Sequence, residues 1–282
     1  MVTDRAPANA SAPRGARPGP GARLRAAAGS DRAAQALTLV LFLLGWELYA
    51  TVRGGLLLPT FTETVGAMVG LLGEPRFWEA MYISNQALVI GFLVAVGIGV
   101  PVGIVLGRFR TLERLTDVWL NILLVTPMAA IIPLLIMSVG FGLLSRVILV
   151  TVFSIVMVIV NVRVGVRQVD PSLIEMSRSF GAGERQVWQH ILLPAALPSI
   201  MTGIRLGLGR AVTGMVIVEL LMVSVGVGGL ILEFRGLFKA PELYATIVAI
   251  LVEALLLIAL ARWAERKATP WAQTRIDRRR TA

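Results

Sequence analysis

The sequence predicts an all-α polytopic membrane protein with six transmembrane helices. Three observations predict it. The 282 residues are 56% hydrophobic and only 16% charged, and the mean hydropathy of +0.77 exceeds what an ordinary soluble core carries. Six apolar stretches approach the roughly 20 residues needed to cross a hydrocarbon core of about 30 Å. The basic residues are distributed unevenly between those stretches, and one polar interruption is far longer than a turn requires.

The apolar stretches run from Ala36 to Val52, Gln86 to Gly107, Val118 to Val139, Val147 to Val162, Leu206 to Val225 and Leu243 to Trp263. The third contains Pro127 and Pro133, so a kink is expected there, with neighbouring helices satisfying the freed carbonyls. Residues 1–35 precede the first span. Nineteen of them are Ala, Pro or Gly and six are Arg, without apolar periodicity, and they read as a disordered basic tail. A cleaved signal peptide is the rival reading, but no small-residue cleavage site is evident after residue 52, so the first run is expected to stay as an anchor. Residues 264–282 read as a second basic tail, which leaves 36–263 as the membrane domain.

Orientation follows from the basic residues. If the chain starts on the cytoplasmic side, the inner segments hold 20 Lys or Arg and the outer segments five. That asymmetry is a positive-inside signal and predicts both termini in the cytoplasm. It also places there the 25-residue segment DPSLIEMSRSFGAGERQVWQHILLP, Asp170 to Pro194. Asp170 with Pro171 makes a helix start, since the Asp carboxylate can accept from free backbone N–H groups and Pro fits the first helical position. Ser172 with Glu175 is a competing capping-box start. Gly181 and Gly183 can end a helix in the left-handed conformation, and Pro194 and Pro198 limit how the next helix begins. The segment reads as a helix–turn–helix on the membrane surface. Val187, Trp188 and Ile191 cluster on one side of its second helix.

Several chemistries are excluded. There is no cysteine and a single histidine, His190, so disulfides, thiolate catalysis and a Cys/His metal cluster are ruled out. The net charge of +10 is explained by membrane topology and does not call for nucleic acid. The two lysines, Lys239 and Lys267, stand outside any G-x-x-x-x-G-K-[ST] context, so no ATPase site is expected in this chain.

The residues Glu175, Gly181, Ile191, Leu193 and Pro194 match the spacing of the Glu-Ala-Ala loop: a glutamate, a glycine six later, then I-x-L-P. In this respect the chain resembles the membrane subunits of binding-protein-dependent ABC importers. Met176 and Ser177 replace the two alanines of the family triplet. WELYATVRGGLLLP, IIPLLIMSVGFGLLSRV, LPAALPSIMTGIRLGLGRAV with Glu219, and ARWAERKATPW resemble the sulfonate, taurine and nitrate branch. The resemblance spans most of residues 46–271. It implies a type I importer permease fold in a bacterial inner membrane, with a coupling helix between the fourth and fifth spans. The implied partners are cytoplasmic ATPase subunits that hold the ATP and Mg, an extracytoplasmic binding protein and a second permease copy. Asp170, Glu175, Gly181, Ile191, Leu193 and Pro194 are then the expected ATPase-coupling residues.

Charged residues inside spans are costly and usually face protein or a watery cavity. Glu47, Glu219 and Glu253 lie in apparent spans, with Glu219 deep in the fifth. Arg205 and Arg210 are placed at the inner entrance of the same span. Glu219, Arg205 and Arg210 are therefore the candidate pathway residues, the alternatives being a structural partner for the glutamate and snorkelling for the arginines. Gly99, Gly103 and Gly107 form a small-residue packing face. The glycine-rich segment from Val225 to Leu243 is too short to span and reads as an interfacial or re-entrant piece.

The expected function is a permease subunit forming the pathway for a small anion such as a sulfonate, taurine or nitrate. A thiamine-related pyrimidine is the second-choice cargo. An ATP-independent carrier or channel would leave the polar segment without a task, and a membrane enzyme lacks a cluster of polar residues at catalytic spacing.

Overall fold

A computed structural model describes residues 20–53, 57–222 and 225–270. They form eleven α-helices joined by short turns. Residues 1–19 and 271–282, where most of the two expected tails fall, lie outside the described residues. The chain divides into two compact units, Met1–Gly54 and Gly55–Ala282.

The first unit holds one helix, α1 (Pro20–Arg53). It begins inside the segment expected to be a disordered tail. The run ARLRAAAGSDRAAQAL is rich in Ala, Arg and Leu, the residues that cost a helix least, so helix forms without an apolar stripe to demand it. Its apolar part, Ala33–Arg53, is long enough to cross a membrane.

The second unit opens with α2 (Phe61–Leu72), closed at its start by a capping box. The Thr60 hydroxyl accepts from the Glu63 amide at 3.1 Å and the Glu63 carboxylate accepts from the Thr60 amide at 2.9 Å. Next comes α3 (Pro75–Arg108), with Pro75 in its first turn. It starts eleven residues before the expected span, because polar positions such as Glu79, Ser84 and Asn85 interrupt hydropathy but not helix formation. The third expected span is broken into α4 (Arg110–Val125) and a second arm, Met128–Val139, bent by 89°. That arm is a short tight turn over Met128–Ile131 followed by α5 (Ile132–Val139). Pro127 stands at the break and Pro133 in the first turn of α5, so the expected kink is close to a right angle. Next is α6 (Leu143–Arg167).

Helix α3 and helix α6 run parallel, with glycines of one meeting valines of the other. A Cβ on Gly91, Gly103 or Gly107 would lie 2.7–2.8 Å from the Cβ of Val150, Val162 or Val166, and one on Gly99 3.1 Å from that of Val158. Each pair is offset by 59 residues, so the small-residue face read at Gly99, Gly103 and Gly107 extends back to Gly91 and holds one register along the whole contact. Without side chains on one helix, the two backbones approach to contact distance.

Two short helices follow, α7 (Pro171–Ser179) and α8 (Glu184–Val187). A wide turn over Trp188–Leu192 then leads into α9 (Leu193–Met222). Pro194 was expected to limit how the next helix begins, and Leu206 to open the fifth span. Instead helix continues from Glu184 to Leu221, 38 residues. In a regular helix the Pro194 ring would collide with the carbonyl four residues back. The wide turn just before it, in which the Leu193 amide donates to the Trp188 carbonyl, takes up that clash. Helix α9 packs antiparallel to α6, again through glycines: Gly203 meets Asn161 and Val158, and Gly207 meets Val158 and Ser154.

The glycine-rich segment forms α10 (Gly226–Gly236), with Gly226, Val227, Gly228, Gly229, Leu230, Ile231 and Phe234 buried. It packs on Leu88, Val150 and Met215 in the main core. The final helix is α11 (Ala240–Ala268). Its Leu251, Leu255, Leu256 and Leu260 are all more than half exposed, as expected of side chains that meet lipid or another subunit. Among the described residues, five helices are long and apolar enough to cross a membrane, or six when the bent pair counts as one span.

Candidate functional site

The polar segment between α6 and α9 is built from its caps outward. Asp170 has extended backbone, and its carboxylate accepts from the Ser172 amide at 2.9 Å. That bond, followed by one from the Ser172 hydroxyl, holds the Asp170 carboxyl below the usual range. Asp170 is therefore the cap, with Pro171 in the first helical position, and the competing start at Ser172 and Glu175 is not used. Helix α7 ends in a Schellman turn. The Gly181 amide donates to the Arg178 carbonyl at 2.9 Å, the Ala182 amide donates to the Ser177 carbonyl at 3.0 Å, and Gly181 has φ of +81°. Gly183 does not share that conformation. It has extended backbone at the head of α8, where its amide donates to Gln186 Oε1 at 2.9 Å.

One face of this segment is anchored. Val187 is fully buried and Leu192 nearly so, against Val158, Val162, Val166, Ala196 and Ile200, with Ile174, Trp188 and Ile191 packed around them. Leu193 is exposed, and Leu192 beside it is buried. The wide turn rotates the helix face by part of a turn, which a plain helical count does not foresee. A charged tie supplements the apolar one. Glu184 pairs with Arg178 and also lies 3.4 Å from Nη2 of Arg108, the last residue of α3. The Arg178 hydrogen bond, aided by Arg108, holds the Glu184 carboxyl below its ordinary value. Sequence reading missed Glu184 because its partners are six residues back across a glycine turn and 76 residues back on another helix.

The other face is open. Leu173, Met176 and Phe180 are 40%, 53% and 85% exposed, three apolar side chains at i, i+3 and i+7. Met176 stands where the family triplet has its first alanine. Glu175 is exposed on the same helix, and among the described residues its carboxylate has no hydrogen bond or ion pair. Asp170, Ile191 and Pro194 come together on a cavity of about 810 Å³ that also touches Leu173, Met176 and His190. Gly181 and Ile191 line a smaller one of about 330 Å³ beside Phe180. Glu175 and Leu193 line neither. His190 hydrogen-bonds the Gln186 carbonyl through Nδ1 at 3.2 Å, a local helix contact.

The three candidate pathway residues do not converge. Glu219 is 1% exposed and belongs to a buried node. Its Oε2 accepts from the Ser84 hydroxyl at 2.8 Å and the Gly228 amide at 3.1 Å, and its Oε1 lies 3.6 Å from Arg146 Nη1. The Ser84 hydroxyl accepts in turn from the Val227 amide at 2.9 Å. Glu219 thus joins α3, α6, α9 and α10 through this buried node. The glycines of α10 make this approach possible: a Cβ on Gly226 would lie 2.3 Å from Ser84 Oγ, and one on Gly228 2.5 Å from Glu219 Cβ. Arg205 and Arg210 stand well inside α9, because that helix starts at Leu193. Arg205 lies 3.5 Å from Glu265 of α11. Arg210 is exposed and has no ion pair or hydrogen bond among the described residues.

Helices of membrane length, joined by a loop anchored on one face and apolar on the other, have the form of an integral membrane transport subunit. Comparison with known proteins fixes the family. Residues 99–270 match the binding-protein-dependent transport system inner membrane component family, and the chain belongs to it. Among its relatives is a putative aliphatic sulfonates transport permease of Bacillus subtilis, 33% identical over 214 residues, covering 76% of this chain and 78% of that protein. The taurine transport system permease of Escherichia coli is 30% identical over 242 residues, covering 83% and 88%. The riboflavin transport system permease of Chloroflexus aurantiacus is 31% identical over 237 residues, with the same coverage, 83% and 88%. Among solved structures, an inward-facing methionine ABC transporter shares the fold with a TM-score of 0.58 and 23% identity, over 69% of this chain and 94% of that one. The protein is a multi-pass inner-membrane permease of the ABC importer class.

Proposed function

We propose that this permease forms the translocation pathway for a small organic anion of the sulfonate or taurine class, driven by a separate ATPase that docks on Asp170–Pro194. The exposed row Leu173, Met176 and Phe180 carries this reading. Three apolar side chains held outward on a helix anchored from behind at Val187 and Glu184 form a surface that needs a partner. The coupling set is Asp170, Glu175, Gly181, Ile191, Leu193 and Pro194: Asp170 and Gly181 shape α7, Ile191 seats the loop, and Glu175 is free to meet the partner. ATP and Mg belong to that partner, and this chain works without a cofactor of its own. A second permease copy, an extracytoplasmic binding protein and termini on the cytoplasmic side complete the assembly.

The relatives named for sulfonates, taurine and riboflavin are similarly distant from this chain, so identity alone does not choose the cargo. Arg210 favours the anion. An unpaired guanidinium midway along an apolar helix is costly against lipid and is tolerated facing a watery passage or another subunit. The test is uptake by the intact transporter. Glu175→Arg leaves the permease folded and in the membrane but impairs transport and solute-stimulated ATP hydrolysis; unimpaired uptake in that variant rejects the coupling assignment. Arg210→Gln lowers uptake of taurine or an alkanesulfonate with assembly intact, and unchanged uptake rejects the anion role of Arg210.

A further inference from the structure

A second charged site stands apart from the coupling loop, at the same end of the bundle. Arg110 and Arg114 in the first turns of α4 face Arg163 and Arg167 at the end of α6 across a cavity of about 420 Å³, which Glu113 and Asp117 also line. The carboxylates account for two of the four cations. Arg163 Nη1 lies 2.8 Å from Asp117 Oδ1, and Arg167 pairs with Glu113, which is buried. Arg110 and Arg114 are exposed and have no ion pair or hydrogen bond among the described residues. The cavity therefore has paired charges in its floor and two uncompensated guanidiniums at its rim.

A solvated basic face would explain the charges alone, but not what adjoins them. On α4 the polar residues 110, 113, 114 and 117 recur at helical spacing, and the other side carries Leu115, Val118 and Trp119, 67%, 62% and 68% exposed. Leu115, Val118 and Trp119 follow the free cations by one to nine residues, about 1.5–13.5 Å along the axis. A ligand that satisfies both has an anionic head and a hydrocarbon body. We propose that this cavity binds the headgroup of an anionic phospholipid, its phosphate between Arg110 and Arg114 and its acyl chains along Leu115, Val118 and Trp119.

The test uses the full-length permease purified in detergent with its ATPase, and native mass spectrometry to read retained lipid. Dioleoylphosphatidylglycerol is retained in preference to dioleoylphosphatidylcholine. The double variant Arg110→Gln/Arg114→Gln binds it about thirtyfold more weakly, the usual worth of two basic residues near an anionic surface, while Arg110→Lys/Arg114→Lys keeps most of the binding. Excess inorganic phosphate fails to displace the lipid. Equal retention of the two lipids, or retention unchanged in the glutamine variant, overturns the proposal. So does displacement by inorganic phosphate, which would make this a free-anion site. Loss of the co-purified ATPase in the glutamine variant with lipid retention intact also overturns it, in favour of a protein contact. If the glutamine variant does not fold, the lysine variant and the wild-type competition with phosphatidylcholine and phosphate still decide.

Discussion

Ser84 and Glu219, 135 residues apart, share a 2.8 Å hydrogen bond in the interior of the bundle. The hydroxyl has two jobs there, donating to the carboxylate and accepting from the Val227 amide. Ser84→Ala removes both at once and leaves a buried amide unpaired. The expected cost is about 1–3 kcal/mol, read as a lower thermal unfolding midpoint of the detergent-purified protein. An unchanged midpoint would mean that water replaces the hydroxyl.

Removing the carboxylate should cost more than removing the hydroxyl. Glu219→Ala strands Arg146, whose side chain is 12% exposed and which then keeps only its hydrogen bond to the Ile83 carbonyl at 3.2 Å among the described residues. Breaking one side of a buried ion pair typically costs about 3–5 kcal/mol. Glu219→Ala/Arg146→Leu, which removes both charges, should recover part of the loss. Equal instability of the single and double variants would show that the pairing with Arg146 is unimportant.

Glycine substitutions separate two kinds of constraint. Gly103→Ala places a Cβ 2.7 Å from Val162 Cβ and 2.9 Å from the Ile159 carbonyl, so α3 and α6 must part and the whole bundle loses about 1–3 kcal/mol. Gly181→Ala meets nothing within 4 Å but sits at φ +81°, so its cost of roughly 1–2 kcal/mol is local backbone strain. The first variant should lower the unfolding midpoint. The second should leave it in place and speed hydrogen exchange only across α7 and α8.

The loop's charged tie has a pH signature. The Glu184 carboxyl is depressed by Arg178 and Arg108, so its contribution is complete at neutral pH and above the ordinary glutamate range. It is lost as pH falls through the depressed value, when protonation frees both arginines. Protection of the residue 178–184 amides, measured against their intrinsic exchange rate at each pH, should therefore fall on acidification below that range, and Glu184→Gln should show low protection at every pH. A wild-type loop with no acid dependence would remove Glu184 from the account.

Much of the fold is legible locally. Apolar runs of bilayer length give the helices, and Asp170-Pro171 and Gly181 give the start and end of α7, because caps depend on neighbours a few residues away. The loop from Asp170 to Pro194 is therefore readable almost to its caps. Pro194 misleads because a proline ends a helix only when nothing relieves its clash, and here a wide turn does. The buried node around Glu219 is not legible in sequence since its partners, Ser84, Arg146 and Gly228, are scattered over 145 positions. The glycines of α10 read as part of an interfacial or re-entrant piece, and in the structure they also give the room that the Glu219 carboxylate needs. Arg205 and Arg210 are the same residue type five apart. Which is paired depends on the helix opposite, and only Arg205 has a glutamate there.

The continuity of helix from Glu184 to Leu221 has a mechanical corollary. Glu219 lies 35 residues beyond Glu184, about 50 Å along one rod at the usual rise. Between them the rod packs on α6 through Ser199, Gly203, Gly207 and Gly214, and Ser154 donates to the Gly207 carbonyl at 2.9 Å. A displacement of the loop end is therefore carried along one element to the buried network around Glu219.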